Sequence, residues 1–184
     1  LGTGVGKDLK KAAELFQKAA KNGDTEGKFM LGLLYDNGEG LKQNKERAIE
    51  LYREAATSGY MRAQANLASM YYAGEGMKAD KEMAFYWYAK AAEHGNTDAM
   101  RRIGELYDGG QFVGQDISKG IQWYQKAASS GDVISMLSLA MMYEHGKNVD
   151  KDLNQAREWY QKAANAGSEE AAKQLKKMDM MLFN

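Results

Sequence analysis

Small and apolar residues return along this chain in two alternating helical patterns. Between Glu26 and Asn37, Gly27, Leu31, Gly32, Leu34 and Tyr35 gather on one side of a 3.6-residue helix. Between Lys45 and Ser58, Ala48, Leu51, Tyr52, Ala55 and Ala56 do the same, and Gly59 follows where a left-handed cap is expected. The spacing predicts two amphipathic helices, A and B, that approach closely through their small residues while Leu, Tyr and Trp fill the spaces between pairs.

The pattern then repeats at a fixed interval of 36 residues. Ala-Ala-x-x-Gly recurs at Ala19, Ala55, Ala91, Ala127 and Ala163, and an aromatic column runs Phe16, Tyr52, Tyr88, Tyr124 and Tyr160. A fixed period in this range means one supersecondary unit stacked on copies of itself. The expected fold is all-α, a right-handed α/α superhelix, or solenoid, of about five helix pairs. It is read as one array over residues 1–184, with a partial first repeat at 1–24, A helices starting near 25, 61, 97 and 133, and a helix at 169–183. Lys176 and Asp179 stand there in columns that are small or Tyr elsewhere, so this last helix reads as a C-terminal cap facing water. Loop residues Gly2 to Asp8 have no A helix before them, so the parent protein is expected to extend upstream.

The A-to-B loops carry their own columns. Gly2, Gly38, Gly74, Gly110 and Gly146 form the first; Gly4, Gly40, Gly76, Phe112 and Asn148 form the second. An apolar plug follows at Val5, Leu41, Met77, Val113 and Val149, and an N-cap type stands at Asp8, Asn44, Asp80, Asp116 and Asp152. Gly2-Thr3-Gly4-Val5-Gly6-Lys7 lacks the spacing and the Lys-Ser/Thr pair of a phosphate loop, so these strings read as interhelix turns.

From Gly38, Gly40, Leu41 and Asn44 through Ala48, Leu51, Tyr52, Ala55, Ala56 and Gly59 to Ala63, Leu67, Ala68 and Tyr71, the unit resembles the Sel1-like repeat, a relative of the tetratricopeptide unit. Residues 74–107 follow the same pattern, and the resemblance covers residues 2–175. It implies an adaptor or scaffold of bacterial type that binds a protein or peptide in a concave groove without catalysis. It also leaves open an immunity protein that neutralises a secreted antibacterial lipase-type effector, or a virulence factor that binds a host protein. A cysteine-rich subgroup of the family is excluded, because this chain has no cysteine.

Charge and chemistry narrow this further. With 25 basic against 25 acidic residues, the broad positive field that drives phosphate-backbone binding is missing, so nucleic acid is a poor partner. No apolar run approaches the roughly 20 residues of a membrane span. The compartment is left open by the sequence, with a periplasmic or secreted bacterial setting favoured. His94 and His145 lie in different repeats, and no thiol, HExxH or EF-hand loop is present, so no metal, cofactor or catalytic residue is assigned. A hydrolase acting on cell-wall-like substrates would need titratable groups converging around Arg101, Arg102, Glu105 and His145.

The remaining question is which face binds. On each A helix the arc opposite the recurrent columns varies, and the A helices of such arrays usually line the concave side. The expected partner-binding residues on it are Met30, Leu33, Asn66, Ser69, Tyr72, Arg101, Arg102, Glu105, Leu137, Met141 and His145. Arg101 and Arg102 suit an acidic loop. Apolar members of the arc, Phe29 among them, read either as contact surface or as side chains partly covered by a neighbouring repeat. The Trp87, Trp123 and Trp159 column reads as packing.

Overall fold

In the computed structural model, residues 8–110 and 114–182 are described. Among them the chain forms ten helices and no strand. The B helices are α1 (Leu9–Lys21), α3 (Lys45–Thr57), α5 (Lys81–Glu93), α7 (Ile117–Ser129) and α9 (Leu153–Asn165). The A helices are α2 (Thr25–Asn37), α4 (Met61–Ala73), α6 (Thr97–Gly109), α8 (Val133–His145) and α10 (Glu169–Leu182). The architecture is the expected all-α array of helix pairs. Gly2, Gly4, Val5, Phe112, Val113 and the predicted end of the last helix at Phe183 lie outside the described residues.

The chain forms two compact units, one running to Asn96 and the other starting at Thr97. In the first, each helix from α1 to α5 packs on the next; in the second, each from α6 to α10 does so. The Ala-Ala columns sit at these contacts. Ala55, Ala91, Ala127 and Ala163 are fully buried, and the Tyr52, Tyr88, Tyr124 and Tyr160 rings are all buried beside them. Burying one such ring contributes up to about 3 kcal/mol, so the column is a main source of stability.

Close approach within a pair explains two glycines. A Cβ on Gly32 would stand 2.7 Å from the Tyr52 ring, and one on Gly104 would stand 2.9 Å from the Tyr124 ring. The same column holds Ala68 and Ala140, both fully buried, so nothing larger than a methyl group fits between an A helix and its own B-helix tyrosine.

Helix ends follow the local chemistry. Asp8, Asn44, Asp80, Asp116 and Asp152 each accept a backbone N–H from the first turn of their B helix. Each satisfies a donor that the helix itself cannot. The A helices α2, α4 and α8 stop at Gly38, Gly74 and Gly146 in the left-handed region. Asn148 takes φ 63° at a position where earlier loops have glycine, and asparagine is a residue that tolerates this conformation. In α10, Lys176 is exposed, and Asp179 pairs with Arg157 of α9 at 2.7 Å.

The tryptophan column divides. Trp87 is buried, with its ring edge-on to Tyr86. Trp123 and Trp159 are half-buried and carry the Lys126 and Lys162 ammonium groups 4.1 and 3.8 Å from their ring centroids. Packing accounts for Trp87, whereas the other two lie under lysine caps at the surface.

Candidate protein-interaction surfaces

In the first unit, α2 and α4 present the predicted residues at different depths. Met30 and Leu33 are half-buried, Ser69 is exposed, and Tyr72 is 40% exposed with the Lys81 ammonium 5.8 Å from its ring centroid. Asn66 is half-buried, and its side-chain amide donates to the Tyr52 hydroxyl. Tyr52 also lies 3.4 Å from Asp36, whose other oxygen receives the Lys45 ammonium at 3.0 Å, and Lys45 reaches Glu75 at 2.5 Å. Burial raises the Tyr52 pKa first of all, so the ring stays neutral. The bonds to Glu75 and Asp36 raise that of Lys45 and hold it charged.

Phe29 takes the second of its two sequence readings, a side chain covered by a neighbouring repeat. It is 1% exposed, with its ring 5.7 Å from Tyr52 and 5.1 Å from Tyr60, and the Arg62 guanidinium lies 5.0 Å over it. It is a core residue covered by the following repeat and offers no contact surface.

In the second unit, Arg101 is buried where the sequence reading places it on the binding face. Only 8% exposed, it pairs with Asp98 and with Glu105 at 2.5 Å, and its Nε lies 3.6 Å from Asp132. Three carboxylates answer one buried guanidinium, although no acceptor comes within hydrogen-bonding distance of its Nε. Arg101 therefore ties α6 to the N-cap of α8 and is not presented for an incoming group. Arg102 is exposed and bonds Glu105 at 2.9 Å, so half-buried Glu105 serves both arginines.

Farther along, Leu137 is half-buried against the core. Met141 and Ile134 are 51% and 54% exposed. His145 is exposed and lies 3.9 Å from Glu144, which accepts the Tyr160 hydroxyl at 2.5 Å. Burial and then that carboxylate raise the Tyr160 pKa.

The arrangement suits recognition by shape and surface charge. Among the described residues no group of three or more His, Asp or Glu is placed to hold a metal ion. His94 sits in the first unit, where its Nδ1 meets Gln64 Oε1 at 3.0 Å while the buried Gln64 amide donates to Ala56. His145, Arg102 and Glu105 belong to the second. No helix among the described residues is long and apolar enough to cross a membrane.

Comparison with known proteins agrees with the geometry. The Sel1 repeat model matches residues 1–24, 25–60, 62–96, 97–132 and 133–168. The chain belongs to the Sel1 repeat family. A Sel1 repeat protein from Oxalobacter formigenes is 33% identical, with a TM-score of 0.85 over 95% of this chain and 71% of that one. A protective antigen present in uropathogenic Escherichia coli strains, with an SLR fold, is also 33% identical, with a TM-score of 0.84. This chain spans 97% of its own length in that match and 38% of the antigen's. An immunity protein of Pseudomonas aeruginosa is 23% identical, with a TM-score of 0.59 over 91% of this chain and 62% of that one. That likeness bears on the fold alone. A comparison with curated proteins found no match. Sel1 repeat proteins are generally protein-interaction scaffolds, and this chain has the corresponding fold.

Proposed function

We propose that this chain is a non-catalytic scaffold that binds a protein or peptide through the exposed side chains of its A helices. The observation that carries the reading is the exposure of Tyr72, Ile134 and Met141, large side chains on helices whose other faces are already fully used in packing. Tyr72, with Ser69 beside it, supplies the first unit's anchor. Met141 and Ile134 supply the second's, with His145 one turn after Met141 on α8 and exposed Arg102 on α6 adding charge. Tyrosine offers wide contact area with a directional hydroxyl, and methionine adapts its shape to what it meets. Arg101 has no place in this surface, because its charge is consumed inside the fold.

The test is affinity capture under crosslinking, followed by titration of the captured partner with purified variants. Tyr72→Ala combined with Met141→Glu is expected to weaken binding at least about tenfold, or about 1.4 kcal/mol, with an unchanged helical circular dichroism spectrum. Lys126→Glu, on a B helix, is the matched control. A partner that ignores the double variant and is lost with Lys126→Glu would move the binding surface to the B helices.

A further inference from the structure

The A-to-B loops at Gly40 and Gly76 seat on the first turn of the B helix one repeat earlier. A Cβ on Gly40 would stand 2.4 Å from the Leu9 carbonyl oxygen, and one on Gly76 would stand 2.8 Å from the Lys45 Cβ and 3.0 Å from Ile49. In the second unit, Asn148 donates to Asp108 at 3.0 Å and Lys147 lies 3.9 Å from the same carboxylate. Val149 of this loop packs on the same core as Ile117 and Ile121 of α7.

Two of these seats have a readable charge rule. Both hold an acid at the end of the A helix, Asp36 or Asp108. Where the first B-helix residue is Lys45, the lysine neutralises Asp36 and the incoming loop brings Glu75. Where that residue is Ile117, no such lysine exists, and the incoming loop brings Lys147 and Asn148 to the acid instead. In these two seats the incoming loop carries the charge that the A-helix acid and the first B-helix residue together leave unmatched.

A further seat of the same construction lies in the second unit, at the end of α8 and the first turn of α9. Its acid is Glu144, and its first B-helix residue is Leu153, 48% exposed. Glu144, His145, Lys151, Leu153, Arg157 and Met178 line a cavity of about 400 Å³ here. Asp179 neutralises Arg157 at 2.7 Å, so the acid that faces an incoming group is Glu144. We propose that this seat binds a partner protein's loop of the Gly-Lys-Asn-apolar type, its lysine or asparagine on Glu144 and its apolar side chain against Leu153 and Met178. The inference stands apart from the A-helix surface: the peptides below test this seat, while the Tyr72 and Met141 variants test that surface.

The probes are two synthetic peptides, one copying residues 142–152 with Lys147 and Asn148, the other copying residues 70–80 with Glu75. Backbone amide shifts of the isotope-labelled chain are followed during titration. The first peptide is expected to move the amides of Leu153, Asn154 and Arg157, with the second leaving them in place. Glu144→Gln keeps an acceptor for Tyr160 and is expected to weaken the first peptide. Leu153→Lys recreates the Lys45 arrangement and is expected to reverse the preference toward the glutamate peptide. The proposal fails if the unmodified chain prefers the glutamate peptide, if neither peptide moves these amides, or if Glu144→Gln binds the first peptide as well as the parent does. Self-association that Glu144→Gln abolishes in sedimentation would make a second copy the occupant and overturn the separate partner.

Discussion

Phe29 and Arg101 occupy the same position of the repeat, two periods apart, and both are buried. Their partners also correspond, since Tyr60 and Asp132 share the position just before the next A helix. The first unit closes this joint with two rings packed at a tilt, 5.1 Å between centroids. The second closes it with a guanidinium against a carboxylate at 3.6 Å, backed by Asp98 and Glu105. One difference brings another: Asp132 also caps the Ser135 N–H, whereas Tyr60 provides no side-chain cap for α4. A joint between repeats can thus keep its place while exchanging its chemistry, provided both members change together.

The comparison breaks most sharply at the charged joint. Arg101→Glu would set a fourth carboxylate beside Asp98, Glu105 and Asp132, and a loss of at least about 3 kcal/mol is expected in urea unfolding. Trp123 and Trp159 fluorescence reports on this unit. A loss below about 1 kcal/mol would mean that Arg101 is held only at the surface. Phe29→Ala should cost about 3 to 5 kcal/mol in the other unit, followed by Trp87 fluorescence, because the ring leaves a cavity among Tyr52, Tyr60 and Arg62. Little change there would show that Phe29 turns outward.

The exchange itself can be tested. Phe29→Arg alone buries a guanidinium beside Tyr60; adding Tyr60→Asp supplies a carboxylate and a cap, and Glu26 already stands where Asp98 stands. The two substitutions are expected to be less damaging together than their sum by about 1 to 3 kcal/mol. Additivity would show that the two positions do not form one joint.

What was legible in the sequence divides along the same line. The invariant columns gave both helices of every repeat, the caps and the buried tyrosines, because packing repeated at one period leaves the same residue type at each copy. The joint was illegible because its chemistry changes: a column reading Phe29, Ala65, Arg101 and Leu137 looks like an unconstrained face. Only pairing each member with the residue 31 positions on exposes the constraint, and that pairing crosses from one repeat to the next. The role of half-buried Asn66 was hidden for a related reason, since its amide serves Tyr52 on the preceding helix. Tyr72 and Met141 did prove exposed, but exposure of a side chain says nothing of what meets it.

A smaller effect separates the tryptophans. Trp87→Ala is expected to cost about 3 kcal/mol. Trp123→Ala should cost about half as much, since its half-buried ring gives up less packing and its contact with Lys126 adds up to about 1 kcal/mol at an exposed site. Equal losses would show that exposure does not decide the rank of this column.

The smallest expected effect lies at the caps. Asp116 and Asp152 accept backbone N–H groups, from Lys119 and Gln155 respectively, and these bonds hold both carboxylates below their ordinary pKa. Asn44 makes the same bond to Arg47 at 2.8 Å with a group that does not titrate. A depressed pKa in the folded chain means that the carboxylate caps contribute in full above the unfolded pKa of about 4. Their contribution falls as the pH drops through the lowered folded value. Hydrogen exchange at the Lys119 and Gln155 amides is therefore expected to lose protection below about pH 4 relative to the Arg47 amide, after correction for the intrinsic rate. Raising the salt concentration should leave the difference largely in place, because the bonds are local. If the three amides lose protection in parallel, the acid sensitivity comes from a global opening and the carboxylate caps are equivalent to the amide one.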